Sequence, residues 1–169
     1  MGEAVSLAAV KAYLRIEGDE DDDLLGRLIA TAEGLCEGFI GQVLIRRAMT
    51  EEIAAPGWWH PLGVWPIVAI TAVEEVTSSG AVALPVAAYA VDIDPRGDGL
   101  VRVTVPGIGR IRVTYTAGIA ADAEALPAGL AQGIVRLVAH LHAHRDEADE
   151  AGPPAAVAAL WRPWRRMRL

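Results

Sequence analysis

Between Leu24 and Ile40 the apolar side chains recur three and four residues apart: Leu24, Leu25, Leu28, Ile29, Ala32, Leu35, Cys36, Phe39 and Ile40. That is the period of an α-helix with one wide buried face, sustained over roughly five turns. A helix of this kind has to be covered, so the rest of the chain is constrained to pack against it. Just before it stand six acids in seven positions: Glu17, Asp19, Glu20, Asp21, Asp22 and Asp23. Negative side chains at a helix N-terminus complement the helix dipole. A calcium loop is the competing use of such a run, and the spacing rejects it. Counted from Asp19, the sixth position is Leu24 rather than the turn glycine, and the twelfth is Ala30 rather than Glu. The pattern predicts a helix over 22–40.

Three further stretches follow from local pattern. Ser6 is a good N-cap, and Leu7, Val10 and Leu14 share a face, which predicts a short helix over 6–16 stopped near Gly18. From Val43 to Thr116, short β-rich runs alternate with Gly and Pro: 43–53, 64–76, 81–84, 89–93, 100–105 and 111–116. The alternation is clearest in the last run, where Arg110, Arg112 and Thr114 face away from Ile111, Val113 and Tyr115. Pro127 then opens a helix over 127–145 whose buried face is Leu130, Ile134, Leu137, Val138 and Leu141. Asp146 to Glu150 form an acidic patch, Gly152-Pro153-Pro154 is a break, and a short helical piece over 155–160 precedes the end. The expected fold class is α+β: mainly a helical bundle, with a β-rich antiparallel middle over 43–117 and an extended C-terminal arm. The expected domains are 1–152 and a docking arm over 153–169.

Composition narrows the function classes. Hydrophobic residues make up 53% of the 169, enough to exclude a wholly disordered chain, yet aromatics are only 5%. The core is therefore built from Ala, Val, Leu and Ile. Cys36 is the only cysteine, which excludes an internal disulfide framework and a multi-cysteine zinc site. No apolar run is long enough for a membrane span, and the start Met-Gly-Glu-Ala-Val lacks the features of a signal peptide. The expectation is a soluble intracellular-type protein with no membrane partner. The net charge is −7, but Trp161–Leu169 holds four arginines and no acid, leaving 11 basic against 22 acidic residues elsewhere. A body so acidic repels phosphate backbones, which argues against nucleic-acid binding as its main task. The basic end with Trp161 and Trp164 suggests docking, since Trp and Arg are enriched at interface hot spots.

Candidate chemistry is sparse. His140 and His144 share a helix face and could clamp a metal, with Asp146 as a third ligand, which would make a small metal-dependent hydrolase the alternative function. Leu141, however, stands where the zincin pattern requires Glu, and His142 points to the far side. Cys36 falls on the buried helix face and has no neighbour that would lower its pKa. Trp58, Trp59 and Trp65 invite a sugar-platform reading, though loop packing or a subunit contact fits three indoles beside Pro and Gly better. Arg96-Gly97-Asp98 spells an integrin-type tripeptide but is good turn chemistry. Asp92 and Asp94 begin like a calcium loop, and Arg96 then occupies a ligand position. There is no phosphate loop, no Gly-x-Ser-x-Gly elbow, and a single lysine, Lys11. The sequence reads as non-enzymatic, with no cofactor.

Three stretches together carry a resemblance. Val10-Lys11-Ala12-Tyr13-Leu14-Arg15-Ile16 is followed by the acidic run and by Asp23-Leu24-Leu25 with Leu28-Ile29. Ile111–Gly118 reads Ile-Arg-Val-Thr-Tyr-Thr-Ala-Gly. Leu126-Pro127 leads to Leu137-Val138-Ala139-His140-Leu141 and Arg145-Asp146. In this order they resemble the head–tail connector (adaptor) family of tailed phages and gene transfer agents, over about Ser6 to Asp146. The family often has Tyr and Arg-Glu where this chain has His142 and Arg145-Asp146. The resemblance implies a virion structural protein of the neck, assembled in the bacterial cytoplasm. It implies a ring, typically of twelve subunits, bridging the portal protein to a downstream neck or stopper protein while DNA passes through without sequence-specific binding. It also implies that the C-terminal segment reaches into the portal ring. The expected portal-binding residues are Trp161, Arg162, Trp164, Arg165, Arg166 and Arg168.

Overall fold

The computed structural model describes residues 3–144 and 152–166. The chain divides into a helical unit, Met1–Ile45 with Ala120–Leu169, and a β unit, Arg46–Ile119, inserted between its halves.

In the helical unit, α1 (Leu7–Leu14) starts at Ser6, whose hydroxyl accepts the Ala9 N–H at 3.2 Å. It stops earlier than the expected 16, because Arg15 adopts a left-handed conformation (φ 60°) and Ile16 N–H donates to the Lys11 carbonyl. α2 (Asp22–Ile40) has the expected bounds and ends at Gly41, which supplies the positive φ of 70° that closes the helix on the Glu37 carbonyl. α3 (Ala128–Ala143) begins one residue after Pro127, whose carbonyl accepts from Leu130 and Ala131 N–H. α4 (Ala155–Trp161) runs into a 3-10 turn, Arg162–Trp164. The core is aliphatic, as the composition requires: Val10, Leu25, Ile29, Ala32, Ile40, Leu130, Ile134, Leu137 and Val138, joined by the buried indole of Trp161.

The β unit holds two sheets. In the first, the order is β1 (Arg47–Ala54), β7 (Arg110–Ala117), β3 (Ile67–Thr77), β4 (Gly80–Ala83), all antiparallel. The second has β6 (Gly99–Val103) between β2 (His60–Pro61) and β5 (Tyr89–Ile93). Ile111, Val113, Tyr115 and Ala117 of β7 are buried with Val73, Val101 and Val103, while Arg110 and Arg112 lie on the other face and both donate to Glu52. The first expected run, 43–53, is cut in two. Val43, Leu44 and Ile45 are buried in the helical unit, and the strand starts at Arg47. The ends of the insertion meet: Ala120 N–H donates to the Leu44 carbonyl at 2.9 Å, and Ile45 and Ala120 form a parallel bridge.

The C-terminal segment differs from the extended arm that the sequence suggested. α4 packs on α3, and Trp161 is 0% exposed. The physical reason lies in Gly133: a Cβ there would overlap the Trp161 indole, so the missing side chain is the notch that receives the ring.

Candidate functional site

Folding α4 onto α3 sorts the proposed docking residues. Trp161 is a core residue, its Nε1–H donating to the Leu130 carbonyl at 3.4 Å and its ring lying 5.9 Å from that of Phe39. Arg162 and Arg165 are exposed, and Trp164 and Arg166 half-buried; Arg168 lies outside the described residues. The segment is strapped to the C-terminal end of α2: Gln42 Nε2 donates to the Trp164 carbonyl, and Arg166 N–H to the Ile40 carbonyl at 2.8 Å. There the Arg165 guanidinium stands 5.5 Å from the centre of the Phe39 ring. Gly38, Phe39, Gly41, Arg165 and Arg166 enclose an open cleft of about 390 Å³. Cations at a helix C-terminus are favourable against its dipole, so the sequence places this charge where the backbone accepts it.

The opposite end of α2 carries the acids. Lys11 Nζ reaches Asp22 Oδ1 at 2.6 Å and Asp19 Oδ1 at 3.9 Å, tying α1 to the acidic turn. His142 Nε2 lies 3.8 Å from Asp21 Oδ2, on the far side of α3 from the other two histidines, as its spacing predicted. Glu17, Asp19, Glu20 and Asp23 remain exposed.

His140 and His144 do come together, with ring centroids 4.3 Å apart. His144 Nδ1–H donates to the His140 carbonyl at 2.9 Å, which finishes the helix and commits one of its two ring nitrogens. Among the described residues no group of three or more His, Cys, Asp or Glu gathers there or elsewhere, and Asp146 lies outside them. Cys36 is 0% exposed, and burial first, then Glu37 and Glu33, push its thiol up to about 12. It packs; it does not attack.

In the β unit, Trp58 is 73% exposed and Trp59 lies under the Arg102 guanidinium at 5.0 Å, while Trp65 is half-buried. Arg96-Gly97-Asp98 is a tight turn between β5 and β6, closed by Asp94 Oδ1 accepting from the N–H of Arg96 and of Asp98, each at 2.8 Å. Asp94 is thereby used as a turn residue. One polar group escaped sequence reasoning: Glu51, on the inward side of β1, accepts from Gly63 N–H at 2.9 Å and from the Tyr115 hydroxyl at 3.2 Å. Burial and this neighbouring carboxylate push the Tyr115 phenol up to about 12. The signal was present, since Glu51 falls between Met49 and Ile53 in the period-two pattern of β1.

None of these places assembles a nucleophile, a base and an orienting group. What the described surface offers is charge at the two ends of α2 and exposed indoles. A chain in the neck of an empty gene-transfer-agent particle computed with C6 symmetry is 27% identical, with a TM-score of 0.80 over 98% of this chain and 91% of that one. A chain in the virion of a native gene transfer agent particle is also 27% identical, with a TM-score of 0.74 over 98% and 91%. A chain in the neck of the native particle computed with C12 symmetry gives 27%, 0.73, 100% and 97%. A search of curated proteins found no match. The family model of head completion proteins matches residues 3–151, from the N-terminus through the whole β insertion and past α3. The chain belongs to the head completion protein family, a head–tail connector family of tailed phages and gene transfer agents.

Proposed function

We propose that this chain is a non-enzymatic ring subunit in the neck of a phage or phage-like particle, joining the portal to the next neck or tail component. The observation that carries the reading is its likeness, over 98% of its length, to a chain of a gene-transfer-agent neck computed with C6 symmetry. An acidic body suits a ring through which DNA passes, because like charge keeps the duplex from being gripped. Of the residues expected to bind the portal, Arg162, Trp164, Arg165 and Arg166 are exposed or half-buried, and Arg168 lies outside the described residues. Trp161 anchors the segment from inside. No cofactor, metal or membrane is required, and among the described residues no helix is long and apolar enough to cross a bilayer.

The test is co-sedimentation with the portal protein of the same gene cluster, comparing the full chain with Arg162→Glu/Trp164→Ala. Truncation after Leu160 is unsuitable because it removes Trp161 from the core. Binding by the full chain, weakened at least tenfold in the variant, supports the reading. No binding by a folded full chain to an intact portal ring overturns it.

A further inference from the structure

The charge on the helical unit is arranged as two poles. Glu17, Asp19, Glu20, Asp21, Asp22 and Asp23 surround the N-terminal end of α2, and Arg165 and Arg166 line a cleft with Phe39 at its C-terminal end. The acidic pole exceeds what folding needs. A helix end carries only about half a unit charge, and the acidic end is already met by Lys11 and by His142 at 3.8 Å. Asp19 nevertheless leaves 92% of its side chain in solvent. Like charges crowded together repel, so the surplus is a cost to the isolated chain that an opposite charge would relieve.

We propose that the acidic turn Glu17–Asp23 of one copy docks in the Phe39–Arg165–Arg166 cleft of the next. The occupant is argued from charge complementarity within one sequence: six acids at one pole, and a cleft bearing two guanidinium groups and an aromatic ring at the other. The two poles cannot meet within a chain, because α2 has 19 residues and holds them roughly 28 Å apart. Nor are they alike, so the contact is heterologous, one copy's acidic end on its neighbour's basic end. A contact of this type repeats in one direction and closes into a ring when the rotation divides the circle. An apolar rim accompanies each pole: Tyr13, 49% exposed, on α1 before the acidic turn, and Leu35, 41% exposed, one turn before Phe39. The inference rests on the ring reading above and names the surfaces that would build the ring.

Cysteine capture tests it without touching a charge. Gly18 and Gly38 stand at the two poles, and a side chain at either would meet only ordinary contacts or open space. In Gly18→Cys/Gly38→Cys the two thiols are too far apart to bridge within a chain, since a disulfide needs Cα atoms within about 7 Å. Cys36 stays in place, buried and with its thiol pushed up to about 12. Gly18→Cys/Gln132→Cys, with the second thiol exposed on α3, is the control. Mild oxidation should give a ladder of linked multimers at least fivefold stronger in the first variant than in the control. It should weaken at high ionic strength, where the Debye length falls to about 3 Å, and vanish when Arg165→Glu/Arg166→Glu is added. A ladder no stronger than the control's, or one indifferent to salt and to charge reversal, overturns the contact. Portal co-sedimentation of the same chains separates the two readings: a chain that binds the portal without the ladder keeps the connector role and loses this interface.

Discussion

Gly133 and Trp161 are the pair on which the C-terminal third of the molecule turns. The indole occupies the space where a Cβ of residue 133 would lie, so Gly133→Ala forces an overpacked core. We expect a loss of about 1–3 kcal/mol from this one methyl group, and about 3–5 kcal/mol for Trp161→Ala, which leaves a void instead. Urea unfolding of the two single variants and the double variant checks both values. The double variant should cost less than the sum, because each change removes the reason for the other's penalty. Two buried acids contribute to the pH dependence at the alkaline end. Cys36 and Tyr115 are both pushed up to about 12 by burial, from ordinary values of 9.0 and 10.0. Held neutral in the fold and free to ionise when unfolded, they favour the folded state below pH 9. That advantage should be lost progressively as the pH rises from 9 towards 12. A phenolate absorbance titration should show one tyrosine ionising about two units late, and Cys36 should react with a thiol reagent only after denaturation.

At the scale of elements, Lys11 is the join between α1 and the acidic turn. Lys11→Met keeps the stem that packs there and removes the ammonium that meets Asp22 at 2.6 Å. The expected cost is about 0.5–1 kcal/mol, seen as a lower melting temperature at low salt and a smaller difference at high salt. Elements were the most legible level of this sequence. α2 was readable to the residue because its period and its acidic first turn agree. α1 was read too long because a left-handed arginine leaves no mark in composition. The strands were found as short apolar runs, but their order was not, since β7 pairs with β1 and β3 through contacts between residues far apart in the chain. The two histidines were correctly placed on one face, yet spacing cannot show that His144 would bond the His140 carbonyl. The C-terminal segment reads as an arm from its basic end, while its helical part, Ala155–Trp161, packs on α3. The apolar run Ala155–Trp161, together with a glycine on the buried face of α3, was the signal that it folds back.

For the whole molecule, the decisive feature is that the β unit is a single continuous insertion whose ends lie side by side. Arg47 pairs with Ala117 inside it, and Leu44 with Ala120 just beyond it. Replacing residues 46–119 by a short Gly-Ser linker should therefore leave a helical unit that folds. Circular dichroism should show helix with a cooperative thermal transition, and a flat melting curve would contradict the expectation. The same pairing bears on the order of events during folding. The insertion is local in sequence, with its own apolar core, whereas α2 and α3 must find each other across it. Closing a flexible loop of that length carries an entropic cost of about 4 kcal/mol. Once β1 and β7 have zipped together, the strands at either end of that loop are already adjacent and most of the search is over. Slow assembly of the helices is then expected whenever the insertion is slow, so the refolding rate of the helical unit is set by the long-range pairing of β1 with β7.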